Sequence, residues 1–356
     1  MLENDRHDTY NDRHDTYEDV PAGFNLLDAP LDQLDLYGIP QRPDATAEPR
    51  LFEFWKKLVS PPFSSRRPTF STIPTPTLPK ASTALPSKQR SIQKAPSRGS
   101  KVEWKWNWSG AVVCPPWPKR IFFATAGWVA PKVSAPCASA LFTHADIPKS
   151  LVWVGLDGHN GTLPKVSLPQ IGTAHWLDGP HFAWWDWWRN WPKSSPKAVR
   201  KSSQKAVTRI DDFAIDAGDE IMAGLAVLIS GDVLFFIKNQ STGEFRSFLA
   251  KRQPLEDIEP LGSSVEWVVE RPTEPSSGQF YPLADYGYVD FRHCLARAAD
   301  GPHAPGRLMT LADNGRMIKM REAFANPYRT FYVSRAERRQ DPDGSIGVTC
   351  TFHQAT

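Results

Sequence analysis

The stretch Val265-Glu-Trp-Val-Val-Glu270 alternates Val265, Trp267 and Val269 with Glu266, Val268 and Glu270. A period of two belongs to a strand with one face in a core. The other face then carries two carboxylates, which an apolar strand tolerates only where they are solvated, paired or used. Similar Val-, Phe- and Trp-rich runs, broken by Gly, Pro, Asn and Asp, recur from Trp104 onward. Strands are expected at 108–114, 120–129, 151–156, 168–175, 181–188, 219–229, 232–238, 244–250, 265–271, 286–292, 315–320, 329–334 and 346–353. Asn239-Gln-Ser-Thr-Gly243 reads as a hairpin turn between two of them. Strand runs without helical periodicity predict an all-β fold, an antiparallel β-sandwich spanning 104–356.

The first hundred residues read differently. Residues 1–50 hold twelve Asp or Glu against four Arg, and Asn4–Tyr10 recurs unchanged as Asn11–Tyr17. His7, His14 and their aspartates suggest a metal site less than they suggest a duplicated acidic disordered arm over 1–53. Residues 24–37 are leucine-rich enough for a short docking segment, and 51–59 for a helical turn or two around Phe52, Trp55 and Leu58. Residues 54–102 hold ten Lys or Arg and no acid, and from Pro61 to Ser100 no hydrophobic period appears. The expectation for 54–103 is a basic linker or prosegment.

A net charge of +3 does not by itself imply nucleic acid, and the basic stretch has few aromatics for base stacking. Cys114, Cys137, Cys294 and Cys350 are too far apart for a zinc site. They leave one or two disulfides or free buried thiols open. The longest apolar run, 221–229, is short of a membrane span, and the N-terminus has neither the basic start nor the apolar core of a secretory signal.

Nine motifs follow one another between 105 and 335. They are Asn107-Trp-Ser-Gly-Ala111, Ala124-Thr-Ala-Gly-Trp-Val-Ala-Pro131, Trp153-Val-Gly-Leu-Asp-Gly158, Gln170-Ile-Gly172, His181-Phe-Ala-Trp-Trp-Asp-Trp-Trp188, Ala217-Gly-Asp219, Ser241-Thr-Gly243, Val265–Glu270 and Leu283-Ala-Asp-Tyr-Gly287. In this order they resemble the glutamic peptidases, the eqolisin family of acid endopeptidases. The resemblance implies two large antiparallel sheets packed face to face, concanavalin-like, with the active site on a concave sheet. It also implies a protein or peptide substrate, no metal or other cofactor, a monomer, and secretion, which the missing signal opposes.

Peptide hydrolysis by water needs a base, a donor for the oxyanion and an acid for the leaving nitrogen. A carboxylate can serve as base and then acid, and an amide is a neutral donor. The family's Glu and Gln fall on Glu266 and Gln170, with Glu270 the nearest alternative base on the same strand face. Trp184 and Asp186 take the places of a Trp and a Glu that wall the site and hold its catalytic groups. Asp157 is a further supporting acid, or simply a turn residue. His175 and His181 depart from the pattern and are expected, once cationic, to lower the pKa of Glu266. The segment after Asp157 is a few residues long for the family, with His159–Leu163 expected to absorb the excess as a loop. The resemblance also implies an activity optimum well below neutral. The basic arm is expected to act as an inhibitory prosegment drawn to an acidic cleft and removed near 98–104.

Two rivals come from other classes. Trp184, Trp185, Trp187, Trp188 and Trp191 suggest the platform of a carbohydrate-binding module, although alternation puts them on both faces. A glycosidase using Glu266 and Glu270 fits poorly, since i and i+4 on a strand lie about 13 Å apart against the roughly 5–9.5 Å that such pairs need.

Overall fold

The computed structural model describes residues 14–73, 102–136, 147–159, 167–189, 207–252, 259–273, 280–302, 304, 306–325 and 328–353. In chain order its elements are β1 (His14–Thr16), α1 (Leu31–Leu36), α2 (Pro49–Val59), β2 (Ser64–Ser65), β3 (Thr69–Thr72), β4 (Val102–Lys105), β5 (Trp108–Val113), β6 (Arg120–Val129), β7 (Lys149–Leu156), β8 (Ser167–Trp176), β9 (His181–Arg189), β10 (Thr208–Ile215), β11 (Glu220–Val227), β12 (Val233–Asn239), β13 (Glu244–Ala250), β14 (Val265–Glu270), β15 (Tyr288–Ala299), β16 (Arg307–Thr310), β17 (Arg316–Ala325), β18 (Tyr328–Gln340) and β19 (Ile346–Phe352). The all-β antiparallel expectation holds for the body of the chain.

Two sheets face each other. The first runs β13–β12–β11–β6–β15–β16, with β1 and β2 against β13. The second runs β3–β10–β9–β8–β7–β14–β5–β17, and β17 also carries β4 and β18. Strand β15 belongs to both. Tyr288–Phe291 pair with β19 in the second sheet, and the strand then bulges and joins β6 in the first. His293 absorbs the bend at φ 50. The core between the sheets takes the inward residues of each strand, among them Val152, Val154, Ile171, Trp185, Trp267, Val269, Phe235 and Phe248.

The acidic arm expected over 1–53 is, from His14 onward, an ordered layer on the outer face of the first sheet. Leu34, Ile39, Leu51, Phe54, Trp55 and Leu58 bury against Met222, Phe236, Phe245 and Leu295. The physical reason is the leucine-rich spacing of 24–59, which supplies enough apolar surface to offset the entropy of ordering it. Polar contacts orient the layer. Trp55 Nε1 donates to the Pro40 carbonyl at 2.7 Å, and Arg297 forms a two-pronged ion pair with Glu48. Buried Lys238 donates to the Ser60 carbonyl at 2.7 Å, next to the C-terminus of α2, where a cation is favoured. Residues 4–13 of the repeat, 74–101 of the basic stretch and Cys137 lie outside the described residues. The sandwich begins at Val102 rather than Trp104, because β4 pairs in parallel with β17. Cys114, Cys294 and Cys350 are free thiols.

If the N-terminal layer is part of the fold, Trp55→Ala costs about 3–5 kcal/mol, the usual cost of emptying a large buried site. Urea unfolding of the full-length chain measures it. A change below about 0.5 kcal/mol, as at an ordinary surface position, would mean that the layer is passive.

Candidate active site

Cross-strand neighbours in a sheet share a face. In β14, Glu266, Val268 and Glu270 turn away from the inter-sheet core, while Val265, Trp267 and Val269 enter it. Register then carries this outer face across the sheet. Glu266 lies opposite Gly155 on β7, Gly155 opposite Gln170 on β8, and Gln170 opposite Asp186 on β9. Gln170 and Glu266 are therefore separated by a single strand, roughly 10 Å between backbones. That intervening strand presents no side chain there. A Cβ on Gly155 would meet the Pro169 carbonyl oxygen at 2.8 Å and Gln170 Cβ at 3.0 Å, so both the gap and the close approach of β8 need glycine.

The next row has the same logic. Trp184 lies opposite Gly172, which lies opposite Trp153, which lies opposite Val268. A Cβ on Gly172 would meet the Val152 carbonyl oxygen at 2.0 Å. Trp108 packs edge-on against Trp153, with ring centroids 5.0 Å apart. These buried indoles form an apolar wall around the polar row.

The two glutamates of β14 differ in what they bind. Glu270 Oε1 accepts from Asn107 Nδ2 at 3.0 Å and Oε2 from Trp153 Nε1 at 2.8 Å, so both of its oxygens are engaged. Glu266 Oε1 accepts the backbone N–H of His159 at 2.8 Å; Oε2 is buried, and the Ser264 hydroxyl lies close enough to favour the charged carboxylate without closing a hydrogen bond of ordinary geometry. Gln170 Oε1 is buried without a partner. Burial raises Glu266 to about 7, against the Ser264 hydroxyl and His159, which lower it. Burial also raises Glu270 to about 7, against its indole and amide donors. Both shifts have one cause, since burial among apolar side chains disfavours the charged carboxylate.

Asp157 does not reach into the row. At φ 70 it turns its carboxylate onto the loop before β14 and accepts from the backbone N–H groups of Leu261, Gly262 and Ser263 and from the Ser263 hydroxyl, at 2.6, 3.1, 2.6 and 2.9 Å. It fixes the loop that delivers Glu266. Trp184 is buried in the wall, and Asp186 is half-buried beside Gln170.

His175 and His181 require a correction. Both belong to the opposite face from Gln170 and Trp184. His175 bonds Thr173 Oγ1 at 2.8 Å and His181 Nδ1 at 2.5 Å, and Thr173 also takes Trp128 Nε1 from the first sheet. Burial holds His175 well below its usual value and lowers His181, and both side chains lie on the face opposite Glu266. The histidine beside Glu266 is His159. Its Nε2 lies 2.6 Å from Glu103 Oε2, and Glu103 Oε1 takes Arg316 Nη1 at 2.6 Å. Sequence reading missed this group because Glu103 and Arg316 are brought together by a parallel pairing of β4 with β17 that carries no local signal. Among the described residues, no group of three His, Cys, Asp or Glu is placed to hold a metal.

Residues 106–326 match the Peptidase A4 family. This chain belongs to it. It is a glutamic-type peptidase, a hydrolase. Scytalido-glutamic peptidase, solved with a transition state analogue inhibitor, is 17% identical over 70% of this chain and 99% of its own, with a TM-score of 0.51. SCP-B, an eqolisin solved with the tripeptide Ala-Ile-His, is 17% identical over the same shares, with a TM-score of 0.47. Aspergilloglutamic peptidase from Aspergillus niger is 19% identical over 58% of this chain and 99% of its own, with a TM-score of 0.41. The first of these likenesses bears on the fold alone, and no curated protein matches the chain. The rival platform of tryptophans meets a structural obstacle. Trp184, Trp185 and Trp187 are buried on two different faces, Trp188 is exposed, and Trp191 lies outside the described residues.

Gly155→Ala tests the gap between Gln170 and Glu266. Overpacking at such a contact costs about 1–3 kcal/mol, so the chain is expected to fold while peptidase activity is lost. A variant that folds and cleaves normally would mean that the open position over β7 is not needed.

Proposed function

We propose that this peptidase is an endopeptidase that cleaves protein or peptide chains with a Glu266–Gln170 dyad. The observation that carries the reading is the register that sets Glu266 and Gln170, both buried, on one face on either side of Gly155 in a wall of buried indoles. A buried carboxylate with a raised pKa beside a neutral amide is the kind of pairing that functional sites concentrate.

In this reading Glu266 takes a proton from water held in the gap, and the oxygen adds to the scissile carbonyl carbon. The Gln170 amide N–H donates to the oxyanion that develops. Glu266 then returns its proton to the departing nitrogen, the C–N bond breaks, and one water has been consumed per peptide bond. Glu270 fits this role less well, because Asn107 and Trp153 occupy its oxygens. Asp186 and Trp184 bound the Gln170 side, and Asp157 anchors the loop on the Glu266 side.

Glu266→Gln keeps the size of the side chain and removes the base, and Gln170→Ala removes the oxyanion donor. Both are expected to fold, and loss of one such donor lowers kcat by about 100- to 1000-fold. Digestion of a denatured protein by the purified full-length chain measures this. Near-normal turnover by Glu266→Gln would move the base to Glu270.

The pH response follows from burial. A base that must start ionised loses activity as pH falls through its pKa. With Glu266 at about 7, the acid limb of kcat/KM is expected near neutrality rather than in the ordinary carboxylate range. Activity that keeps rising as pH falls below 5 would show that Glu266 enters the reaction already protonated, as the acid, and would overturn the base-first order.

A further inference from the structure

We propose that His159 and Glu103 form a positioning pair that holds the backbone N–H of residue 159 on Glu266 and keeps a positive charge beside it. This rests on the reading of Glu266 as the base. The turn after β7 is pinned at two points. Asp157 fixes its start with four hydrogen bonds to residues 261–263. His159, whose N–H reaches Glu266 Oε1 at 2.8 Å, is its last described residue, and its ring is the second pin.

Geometry places the partner on the correct side. Glu103 lies opposite Ile318 on β17, Ile318 opposite Gly110 on β5, and Gly110 opposite Val268 on β14. Glu103 is therefore on the face that carries Glu266. It is 8% exposed and the His159 ring 10%, so the pair is little screened by water. Arg316 takes the second Glu103 oxygen and places Nη2 3.4 Å from Cys114 Sγ.

The charges around Glu266 can be followed one by one. Asp157 raises its pKa and His159 lowers it, while Lys105, from β4, is drawn to both Glu103 and Glu266. His159 is itself raised to about 9: burial pulls it down, but Cys114 and Glu103 outweigh that. The Glu103 carboxylate 2.6 Å from Nε2 favours the imidazolium form. Without Glu103 the ring would lose its main anionic partner. Glu103 also lies upstream of the family-matched residues 106–326, so this support comes from outside the shared part of the chain. Any trimming of the arm beyond Val102 would remove it.

The test uses the full-length chain. Glu103→Gln removes the charge at constant size, and His159→Ala removes the cation but keeps the backbone N–H. Each is expected to move the acid limb of kcat up by about one pH unit and to lower kcat about tenfold below the limb, with KM within about twofold. A merely structural role would lower the melting temperature and leave the limb in place, which would overturn the proposal. Glu266→Gln is measured alongside. If it stays active, the base assignment falls and this inference with it. If it is inactive while Glu103→Gln has an unmoved limb, this inference alone falls. Should both variants fail to fold, the His159 ring is titrated by NMR in the unmodified chain: a proton held above pH 8 supports the pair, and one lost below pH 7 overturns it.

Discussion

The candidate site depends on the pairing register of β14 between β5 and β7. Because side chains alternate, a slip of one residue would send Glu266 and Glu270 into the inter-sheet core and turn Trp267 outward. The penalty is steep in both directions, since it buries two carboxylates without partners and exposes a large indole. Trp267 adds a specific lock by donating its Nε1 to the Thr125 carbonyl on the facing sheet at 2.8 Å. Asp157 adds another by holding the loop that enters β14. Once that register is fixed, the positions of Gly155, Gln170 and Asp186 follow from pairing alone.

Burial of these carboxylates links stability to function. Glu266 and Glu270 are raised from 4.5 to about 7 in the folded state. Between those values the folded chain holds more protons than the unfolded one, so these two groups make stability fall as pH rises through that window. The proposed base role asks for the opposite condition, an ionised Glu266. The donors to Glu266 and Glu270 moderate the conflict by stabilising the charged forms within the protein. Glu270 receives two side-chain donors and holds its place in the wall. Glu266 receives one backbone donor, from His159, which leaves its other oxygen for the role proposed for it.

Much of the architecture was legible in the sequence because fully buried strands of Val, Phe and Trp announce themselves. The run Thr208–Ile215 did not, since its polar Arg209, Asp211 and Asp212 interrupt the period, yet it joins β9 to β3. Glu266 and Gln170 were readable from motif order, and register placed them on one face. His175 and His181 were misread because proximity in sequence to Gln170 says nothing about which face of the sheet a side chain takes. Glu103 and Arg316 were not readable at all: their pairing joins positions 213 residues apart.

The N-terminal layer shows the limit of composition as evidence. Residues 1–50 are acidic enough to suggest disorder, but the acids fall between the leucines and leave an apolar stripe intact. The first sheet needs that stripe, because Met222, Phe236, Phe245 and Leu295 form an apolar patch on its outer face. Polar groups on the sheet then select how the layer docks. Lys238 and Gln240 reach the carbonyls of Ser60 and Lys57 at the end of α2, at 2.7 and 2.8 Å. Burial lowers Lys238 to about 8, so the charge that seats the helix is itself held at a cost. The carbonyls of Ser60 and Lys57 offset part of that cost by accepting from the ammonium. The layer therefore covers the outer face of one sheet while the candidate site lies on the outer face of the other, so the two surfaces of the sandwich are divided between packing and chemistry.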